Sequence, residues 1–359
     1  MSNSSLRHLL LPLTPVYRAG LALRDVCLRS GREPIRRLGW PVVSIGNLST
    51  GGTGKTPLTV ALARALSKPG IYVDVLSRGY GRHSAPPLLV DPDGTAEHYG
   101  DEPLLIARDA GVPVYVAAQR YDAGLLAEQE QANLKGHDSV GQNFSPAQNG
   151  AKSEAGALAP VKIHLLDDGF QHRQLARTLD IVLLNRYDWR DFLLPAGNLR
   201  EPVDALRRAH VVAIPEEEPG LGIALRNRLG FAGPIWKLRR QMDVPPVAGP
   251  VVAFCGIARP EQFFTGLETA GLHVASRIAF RDHHRYIYHD LDCLLDAARS
   301  VKASALITTD KDRIRLGPLA SSLAAFVPLQ TAKLRIEIED EPAAIDWLLA
   351  RIELERTSN

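Results

Sequence analysis

The chain has 359 residues, of which 45% are hydrophobic and 23% charged, as in an ordinary globular protein. This length predicts about two domains, and the apolar content excludes wholesale disorder. The net charge of +2 excludes a dedicated nucleic-acid-binding protein. No run of about 18 apolar residues is present to span a membrane. The cysteines are far apart, which indicates neither a disulfide framework nor a CxxC metal site and favours a reducing cytosol. They are Cys27, Cys255 and Cys293.

The N-terminal segment is basic. Residues 1–40 carry a net charge of +5, which leaves −3 on the other 319 residues and indicates an anionic surface as a partner. Thr14 and Pro15 predict the N-cap and first position of a helix that Gly31 ends. Two stripes lie on this helix, namely Val16, Gly20, Leu23 and Cys27 on one and Arg18, Ala22, Asp25 and Arg29 on the other. The helix either lies in a membrane interface or packs on the body of the protein.

From Pro41 onward, short β-branched runs alternate with helical stretches, which predicts a parallel sheet with crossover helices. The predicted strands are Val42–Gly46, Ile71–Leu76, Val114–Ala117, Val161–Leu166, Ile181–Leu184 and Val211–Ile214. The predicted helices are Thr56–Leu66, Glu102–Asp109, Asp122–Gln131 and Pro202–Arg208. Residues 132–160 are rich in Gly, Ala, Gln, Asn and Ser, and predict a long flexible insertion.

A second alternating block follows a proline-rich connection near residue 245 and predicts a smaller α/β domain. A strand over Pro234–Arg240 precedes the connection. The elements predicted after it are Val251–Cys255 (strand), Pro260–Ala270 (helix), His273–Phe280 (strand), Leu291–Val301 (helix), Ala305–Thr309 (strand) and Glu341–Ile352 (helix).

The strongest motif is a glycine-rich phosphate loop at Ser49–Thr56, with the sequence STGGTGKT between a strand and a helix. Its members are Ser49, Thr50, Gly51, Gly52, Thr53, Gly54, Lys55 and Thr56. Backbone N–H groups of such a loop surround phosphate oxygens, and the helix N-terminus adds positive potential. Lys55 is expected to reach the β- and γ-phosphates, and the Thr56 hydroxyl is expected to hold Mg²⁺. Ser49 stands where the generic motif has glycine.

A mostly apolar strand ends in Asp167-Asp168-Gly169. Such a strand places a carboxylate beside the phosphate loop, where Mg²⁺ takes one or two carboxylates together with water and phosphate oxygens. The same three residues also form common turns. Together with the phosphate loop, they predict a magnesium-binding acid.

Nucleotide binding leaves the reaction open. Switch GTPases read guanine with Asn-Lys-x-Asp after a strand, and Asn185–Asp188 and Thr309–Asp312 are near matches. However, Asp167–Phe170 does not form the Asp-x-x-Gly that senses the γ-phosphate in those proteins. A kinase needs a group that accepts the proton of the attacked hydroxyl. One candidate is the pair of acids of GDEP at 100–103, which are also typical of a helix cap. The other is the pair of histidines of FRDHHRY at 280–286, which are also typical of a surface loop.

Taken together, seven segments resemble the tetraacyldisaccharide 4′-kinase family of Gram-negative bacteria. They are SIGNLSTGGTGKTP, LSRGYGR, YGDEP, LLDDGFQH, LLPAGNLREP, FRDHHRY and TTDKD, in the family's order across roughly residues 10–340. The serine that opens the phosphate loop also matches the family pattern. The resemblance implies that the γ-phosphate of ATP is transferred to the 4′-hydroxyl of a tetraacylated glucosamine disaccharide 1-phosphate in lipid A biosynthesis. The alternative is a nucleotide-driven switch or a metallochaperone-like NTPase.

The resemblance also implies residue roles. Lys55 and Thr56 correspond to the phosphate-binding lysine and the Mg²⁺-binding threonine. Asp168, with Asp167 beside it, corresponds to the Mg²⁺ carboxylate. The remaining catalytic candidates are Asp101, which helps deprotonate the acceptor, its partner His283, and the pair Arg200 and Glu201 that lines the catalytic centre.

By the same resemblance, the expected cofactors are ATP and Mg²⁺, and the fold is a P-loop parallel sheet with helices on both faces plus a smaller α/β domain joined by a hinge. The expected partners are the lipid substrate and the cytoplasmic face of the inner membrane, to which the protein is bound peripherally, with no nucleic acid and no obligate protein partner. The predicted divisions are a membrane-surface segment (1–40), a kinase domain with the insertion (41–233), a hinge (234–250) and a C-terminal α/β domain (251–359).

Overall fold

The computed structural model describes residues 7–82, 86–140 and 161–358. Its strands in these ranges are β1 Val42–Asn47, β2 Ile71–Ser77, β3 Leu88–Leu89, β4 Val114–Val116, β5 Val161–Asp167, β6 Leu179–Leu183, β7 Val211–Pro215, β8 Ile235–Asp243, β9 Pro250–Cys255, β10 His273–Ala279, β11 Ala305–Thr309 and β12 Leu329–Ile338.

The described helices connect these strands and flank both ends of the chain. They are α1 Thr14–Arg29, α2 Lys55–Leu66, α3 Ala96–Tyr99, α4 Asp101–Ala110, α5 Arg120–Val140, α6 Arg186–Arg190, α7 Gly220–Leu229, α8 Pro260–Thr269, α9 Tyr288–Ser300, α10 Asp310–Leu316, α11 Leu319–Ala324 and α12 Glu341–Ser358. Short 3₁₀ helices cover His8–Leu13 and Val203–Arg208.

The described strands form one sheet in the order β10-β9-β11-β12-β8-β7-β6-β1-β5-β2-β4-β3. Within it, β3–β4 and β8–β12 pair antiparallel, and the other neighbouring strands pair parallel. The central strand β1 is buried along its whole length. Burial on both faces is why strands such as β7 and β9 have continuous apolar runs rather than alternation. The predicted α/β class with a mainly parallel sheet is confirmed.

Helices cover both faces of β1. Val43 and Ile45 point into a core with Leu58 and Leu62 of α2 and with residues of α4 and α12. Their neighbour Val42 points to the opposite face, where α5 packs. Each fully buried Leu or Ile contributes about 1.5–3 kcal/mol, so these two layers hold the carboxyl ends of the strands rigidly in place.

An antiparallel ribbon joins the two ends of the sheet. Residues Lys333–Ile338 of β12 pair with Leu238–Asp243 of β8, and β8 in turn pairs with β7. Much of the predicted hinge at 234–250 is therefore a strand. The sequence reading missed β12, because its side chains are mostly exposed or half-buried and carry no continuous apolar run. The division of the chain into separate domains stays a prediction.

Three other expectations need correction. The prediction that Thr14 caps α1 is wrong, because the cap position is Leu13 and a 3₁₀ turn precedes it. The segment predicted as a helix at Pro202–Arg208 forms a 3₁₀ helix. Residues 132–140 of the expected flexible insertion continue helix α5, and residues 141–160 lie outside the described part of the chain.

Helix α1 is turned with apolar side chains outward. Val16 and Leu23 are 69% and 63% exposed, and Val26 is also exposed. The inward face is mixed: Leu28 is buried, and Tyr17 and Leu21 pack against a hydrophobic core cluster. On the same face the Tyr17 hydroxyl donates to the Arg200 carbonyl at 3.0 Å, and Arg24 pairs with Glu201 at 3.1 Å. Apolar and polar contacts therefore attach this helix to the body, and a second apolar stripe faces away from it. No helix within the described ranges is long and apolar enough to cross a bilayer.

Candidate active site

The phosphate loop lies at the carboxyl end of β1 and leads directly into α2. Gly51 and Gly54 have φ angles of +101° and +98°, in the left-handed region that L-residues with a Cβ rarely adopt. The loop can therefore turn its backbone N–H groups toward one point at the N-terminus of α2. This is the arrangement predicted from the glycine spacing.

A neighbouring loop braces the phosphate loop from the side. The Thr50 amide donates to the carbonyl of Asn198 at 2.8 Å, and Ser49 forms a β-bridge with Leu199. The buried Asn47 side chain accepts hydrogen bonds from Lys55 Nζ at 3.0 Å and from Arg200 Nη2 at 2.5 Å. Lys55 and Arg200 are thus held by one amide oxygen, that of Asn47, which sequence reasoning had not singled out.

Asp168 is the charged centre of the site. Its carboxylate accepts two hydrogen bonds from Arg200, at 2.8 and 3.0 Å, and lies 3.6 Å from Lys55 Nζ. Burial alone raises its pKa, but Lys55 and Arg200 outweigh burial and hold the pKa well below the usual value. Asp168 also has a φ of +48°, a strained backbone for a residue with a side chain. Such strain clusters at functional sites.

Asp167 has a different environment from its neighbour. It is 2% exposed and accepts a hydrogen bond from Thr59 at 3.3 Å. Burial and the nearby charges of Glu102 and Asp168 raise its pKa to about 7. Asp168 is therefore the permanently ionised acid of the pair, and Asp167 stands behind it.

The oxygen donors at this point suit Mg²⁺. Carboxylates and a hydroxyl are hard ligands, and a magnesium site commonly needs only one or two carboxylates together with phosphate oxygens and water. The residues that would hold the ion are Asp168 and Thr56, with Asp167 adjacent. No group of three or more His, Cys, Asp or Glu side chains is placed to bind a metal within the described ranges.

The structure brings Asp101 and His283 together from distant parts of the chain. Asp101 begins α4, His283 lies in the loop after β10, and Asp101 Oδ2 is 3.5 Å from His283 Nδ1. Contact with Asp101 raises the pKa of His283. Burial raises the pKa of Asp101, but His283 and the positive charges of Arg315 and Lys311 outweigh burial and lower it. Like Asp168, His283 has a positive φ, of +58°.

Two cations of α10 were missed in the sequence. Arg315 Nε and Nη2 contact Asp101 Oδ2 at 2.7 and 2.5 Å, and Nη2 lies 3.2 Å from His283 Nδ1. Lys311 pairs with Glu102 at 2.5 Å. Both belong to the segment TTDKDRIR, whose acids and bases resemble an ordinary charged helix. Lys311 belongs to TTDKD, one of the segments that carry the family resemblance, but it was given no role there. The other signal was the position of this segment after a buried strand, which β11 confirms.

Glu201 is placed away from the cavity. Its carboxylate is 3% exposed and contacts Arg24 at 3.1 Å and Arg208 at 2.7 Å. Its neighbour Arg200 lines the cavity and contacts Asp168. Of the pair predicted to line the catalytic centre, the structure brings only Arg200 to the other candidates.

The two GTPase-like segments serve as helix caps. The Asn185 side chain accepts hydrogen bonds from the amides of Tyr187 and Asp188, at 2.9 and 3.1 Å. Thr309 accepts one from Asp312 at 3.1 Å. Their amide and hydroxyl oxygens are therefore occupied by backbone donors rather than available to read a base.

The predicted site residues other than Asp101 and Glu201 line one cavity of about 1820 Å³. Its walls come from both ends of the sheet and include Ser49–Thr56, Asp167, Asp168, Arg200, His283 and Lys311. A volume of this size exceeds that of an ordinary small-molecule pocket of about 300–1,000 Å³. The cavity thus has room for a nucleotide and a second large ligand.

Comparison with known proteins agrees with this geometry. Residues 6–353 match the family model described as tetraacyldisaccharide-1-P 4′-kinase. The tetraacyldisaccharide 4′-kinase of Koribacter versatilis is 40% identical over 95% of this chain and 98% of that protein. The enzyme of the same name from Chromobacterium violaceum is 34% identical over 97% and 94%.

A solved structure is similar over the same extent. The "apo" form of LpxK from Aquifex aeolicus, crystallised in complex with ATP, superposes with a TM-score of 0.69 at 29% identity, covering 97% of this chain and 99% of that one. These likenesses do not favour the switch or metallochaperone-like alternative. The resemblance drawn from the sequence motifs is confirmed, and the chain belongs to the tetraacyldisaccharide-1-phosphate 4′-kinase family.

Proposed function

We propose that this protein transfers the γ-phosphate of ATP to the 4′-hydroxyl of a tetraacylated glucosamine disaccharide 1-phosphate, which is a step of lipid A biosynthesis. The observation that carries the proposal is the convergence on one cavity of a phosphate loop, an ionised acid beside it and a histidine backed by a carboxylate. The family to which the chain belongs supports the same substrate class.

The phosphate loop and Lys55 bind the triphosphate, and Arg200 faces the transferred group from the Asp168 side. Asp168 and Thr56 would hold Mg²⁺, which would supply neutralisation of the charge on the phosphate oxygens. The 4′-oxygen attacks the γ-phosphorus while the bond to the β-phosphate oxygen breaks and ADP leaves. Positioning and charge neutralisation account for most of the catalysis in such a transfer.

His283 takes the proton of the hydroxyl. Its Nδ1 faces Asp101 and Arg315, so Nε2 is the ring nitrogen left for the acceptor. His283 lines the cavity, whereas Asp101 is 7% exposed and sits behind the histidine. Asp101 therefore acts by holding the ring and by stabilising the imidazolium that forms when the proton arrives.

The test is a phosphate-transfer assay with ATP, Mg²⁺ and the disaccharide 1-phosphate in detergent micelles. Lys55→Met and His283→Gln should both lower turnover, Lys55→Met by a factor of roughly 1000. Exposed His289→Gln is the matched control and should keep full activity. Failure of the purified wild-type protein to phosphorylate this acceptor would refute the substrate assignment.

We also propose that α1 holds the protein on the cytoplasmic face of the inner membrane. Its outward stripe of Val16, Leu23 and Val26 is exposed, and the arginines Arg18 and Arg29 stand beside it, also exposed. An exposed apolar stripe with flanking arginines is the pattern of a helix that lies in an anionic interface. Transfer of an acyl chain from the bilayer to water costs about 0.8 kcal/mol per CH₂ group. An enzyme that binds at the membrane surface avoids this cost, because the acyl chains can stay in the bilayer.

Point variants test this docking better than a truncation, because the inward face of α1 is hydrogen-bonded to the body. Leu23→Glu should reduce co-sedimentation with anionic liposomes. Ile223→Glu, at an exposed position of α7, is the control and should sediment like the wild type. Equal sedimentation of all three proteins would contradict the proposed surface.

A further inference from the structure

One short loop, residues 198–201, lies between helix α1 and the phosphate loop, and we call it the bracing loop. On the side of the phosphate loop, the Asn198 carbonyl accepts a hydrogen bond from the Thr50 amide at 2.8 Å. The Arg200 amide donates to the carbonyl of Leu48 at 2.7 Å. The bracing loop is therefore attached to the chain on both sides of the residue that opens the phosphate loop.

The N-terminal part of the chain holds the other side of the bracing loop. The Tyr17 hydroxyl of α1 donates to the Arg200 carbonyl at 3.0 Å, and Arg7 Nη1 donates to the side-chain oxygen of Asn198 at 2.7 Å. Burial raises the pKa of Tyr17, so its hydroxyl keeps the proton that it donates. The Tyr17 ring packs against the hydrophobic cluster to which Leu199 belongs. Tyr17 is thus fixed at this place by its ring as well as by its hydroxyl.

Both backbone polar groups of Arg200 are occupied by these contacts. Its N–H binds Leu48, and its C=O binds Tyr17. Its guanidinium binds the Asp168 carboxylate at 2.8 and 3.0 Å and the Asn47 side chain at 2.5 Å. A residue whose N–H and C=O are both hydrogen-bonded has little freedom to move. The Tyr17 hydroxyl therefore helps to determine where the guanidinium of Arg200 lies.

Helical spacing separates the two faces of α1. The residues that face the body recur every three or four positions, and they are Tyr17, Leu21, Arg24 and Leu28. The exposed apolar residues on the other face are Val16, Leu23 and Val26. A substitution on one face therefore leaves the contacts of the other face in place.

We propose that Tyr17 is a positioning residue for phosphoryl transfer, because its hydroxyl fixes the backbone of Arg200 and thereby the place of the guanidinium beside Asp168. The inference rests on the proposed function for the role of Arg200, and it adds α1 to the residues that serve the reaction. Helix α1 then has one face for the membrane surface and one for the bracing loop. A displacement of about 1 Å in a group that contacts the reacting phosphate can lower turnover roughly 100-fold.

The first test is a double-mutant cycle with Arg200. Tyr17→Phe removes only the hydroxyl and should lower kcat roughly 10-fold in the wild-type background, since the Arg200 carbonyl loses its donor. In the Arg200→Met background the same substitution should change kcat by less than about 2-fold, because the group through which Tyr17 acts is absent. Equal losses in both backgrounds would indicate a general structural effect and would overturn the proposal. An unchanged kcat in the wild-type background would overturn it as well.

The second test needs no acceptor. Amide hydrogen exchange is measured by mass spectrometry on the peptides that contain Thr50 and Arg200. Tyr17→Phe should speed exchange of these amides roughly 5-fold, because one hydrogen bond that holds the bracing loop is lost. Tyr288→Phe, at a 71% exposed position of α9, is the matched control and should exchange like the wild type. Unchanged exchange in Tyr17→Phe would contradict the proposal.

The exchange test stands even if the wild type transfers no phosphate to the disaccharide, which would count against the proposed function alone. Co-sedimentation with anionic liposomes then separates the two faces of α1. Tyr17→Phe should sediment like the wild type, whereas Leu23→Glu should sediment less and keep wild-type exchange at Arg200. Loss of liposome binding in Tyr17→Phe would mean that the whole helix detaches. Fast exchange at Arg200 in Leu23→Glu would mean that any disturbance of α1 has this effect, and either result would refute a specific role for the hydroxyl.

Discussion

Two charged networks are built on β5, one in the middle of the strand and one at its end. In the middle, His164 Nδ1 lies 2.7 Å from Asp74 and Nε2 lies 3.3 Å from Glu128 of α5, while the ring stacks on Trp40 with centroids 4.8 Å apart. His164 and Asp74 are fully buried. Each ring nitrogen has a carboxylate partner, so this network is closed to ligands.

The network at the strand end is open. Asp168 adopts a strained positive φ, keeps 30% of its side chain exposed and faces a cavity lined by cations. In the middle of β5 the backbone is hydrogen-bonded to a neighbouring strand on each side, which fixes the direction of each side chain. Residues that follow the strand lack this pairing and can adopt irregular backbone conformations. One strand thus supplies stability from its interior and ligand binding from its carboxyl end.

The largest expected effect is on the open network. Asp168→Asn removes the charge that faces Mg²⁺ and the transferred phosphate in the proposed function, so turnover should fall by a factor of roughly 1000. Asn tolerates the left-handed backbone conformation, so the free energy of unfolding should change by less than about 1 kcal/mol. Steady-state kinetics and urea denaturation measure the two effects. A variant that loses stability and activity together would show that Asp168 serves the fold as well.

The closed network should give the opposite result. Although burial lowers the pKa of His164, its carboxylate partners, led by Asp74, raise it to about 9. His164→Gln removes a buried cation from two carboxylates and should lower the free energy of unfolding by about 3 kcal/mol. Turnover at a temperature where the variant is folded should stay within about 3-fold of the wild type. Exposed His289→Gln is the control for both measurements.

The pH dependence of stability sharpens this prediction. The folded pKa of His164 is raised above the ordinary value, so its contribution is complete below about pH 6.5 and is lost as the pH rises through about 9. Wild-type stability should therefore decrease over that interval by an amount on the order of 3 kcal/mol. His164→Gln should flatten the decrease. An unchanged slope would mean that the ring is not charged in the folded protein.

Arg315 contacts both members of the proposed catalytic pair, Asp101 and His283, and its replacement should have an intermediate effect. It holds Asp101 through two nitrogens, and its charge opposes protonation of His283 while Asp101 and Asp282 favour it. In Arg315→Met the pKa of His283 should rise, so the acidic limb of the kcat profile should move to higher pH. At neutral pH, turnover should fall roughly 10- to 30-fold, with KM for ATP unchanged.

Arg315→Lys restores one charge near Asp101 and should recover part of the rate. A purely structural role would lower turnover at every pH without moving the limb. That result would show that Arg315 does not position the catalytic pair.

The sequence predicted those parts of the site that have a recognisable pattern within a short stretch of chain. The phosphate loop, Asp168 and most strand positions follow from glycine spacing and apolar runs, and the structure places Lys55, Asp168 and Arg200 within hydrogen-bonding or ion-pair distance of one another. Asp101 and His283 were paired only through the family resemblance, because 182 positions of chain separate them. Spacing along a sequence contains no information on such a contact.

Other features could not be found from the residue pattern. Arg120 looks like any first-turn arginine, and it is distinguished only by its burial and by an Nε that has no hydrogen-bond acceptor among the described residues. Strand β12 was missed because its side chains are mostly exposed or half-buried. Helix α7 was missed although Leu221, Leu225 and Leu229 are buried at helical spacing, because glycine at two of its first three positions weakens the helical pattern. In α1, the apolar stripe was identified, but its outward direction depends on tertiary contacts such as that of Arg24 with Glu201.

The smallest expected effect concerns Glu201, which the family resemblance assigns to the catalytic centre. In the structure both carboxylate oxygens bind arginines, Arg24 of α1 and Arg208, outside the cavity. Glu201→Gln keeps the shape and weakens both ion pairs, so the free energy of unfolding should fall by about 1 kcal/mol and turnover by less than about 3-fold. Because Arg24 anchors α1, liposome binding should weaken as well, and Arg24→Met should reproduce that loss. A fall in turnover by roughly two orders of magnitude without loss of stability would contradict this prediction. It would mean that Glu201 has a catalytic role, and that the loop containing Glu201 rearranges when substrate binds.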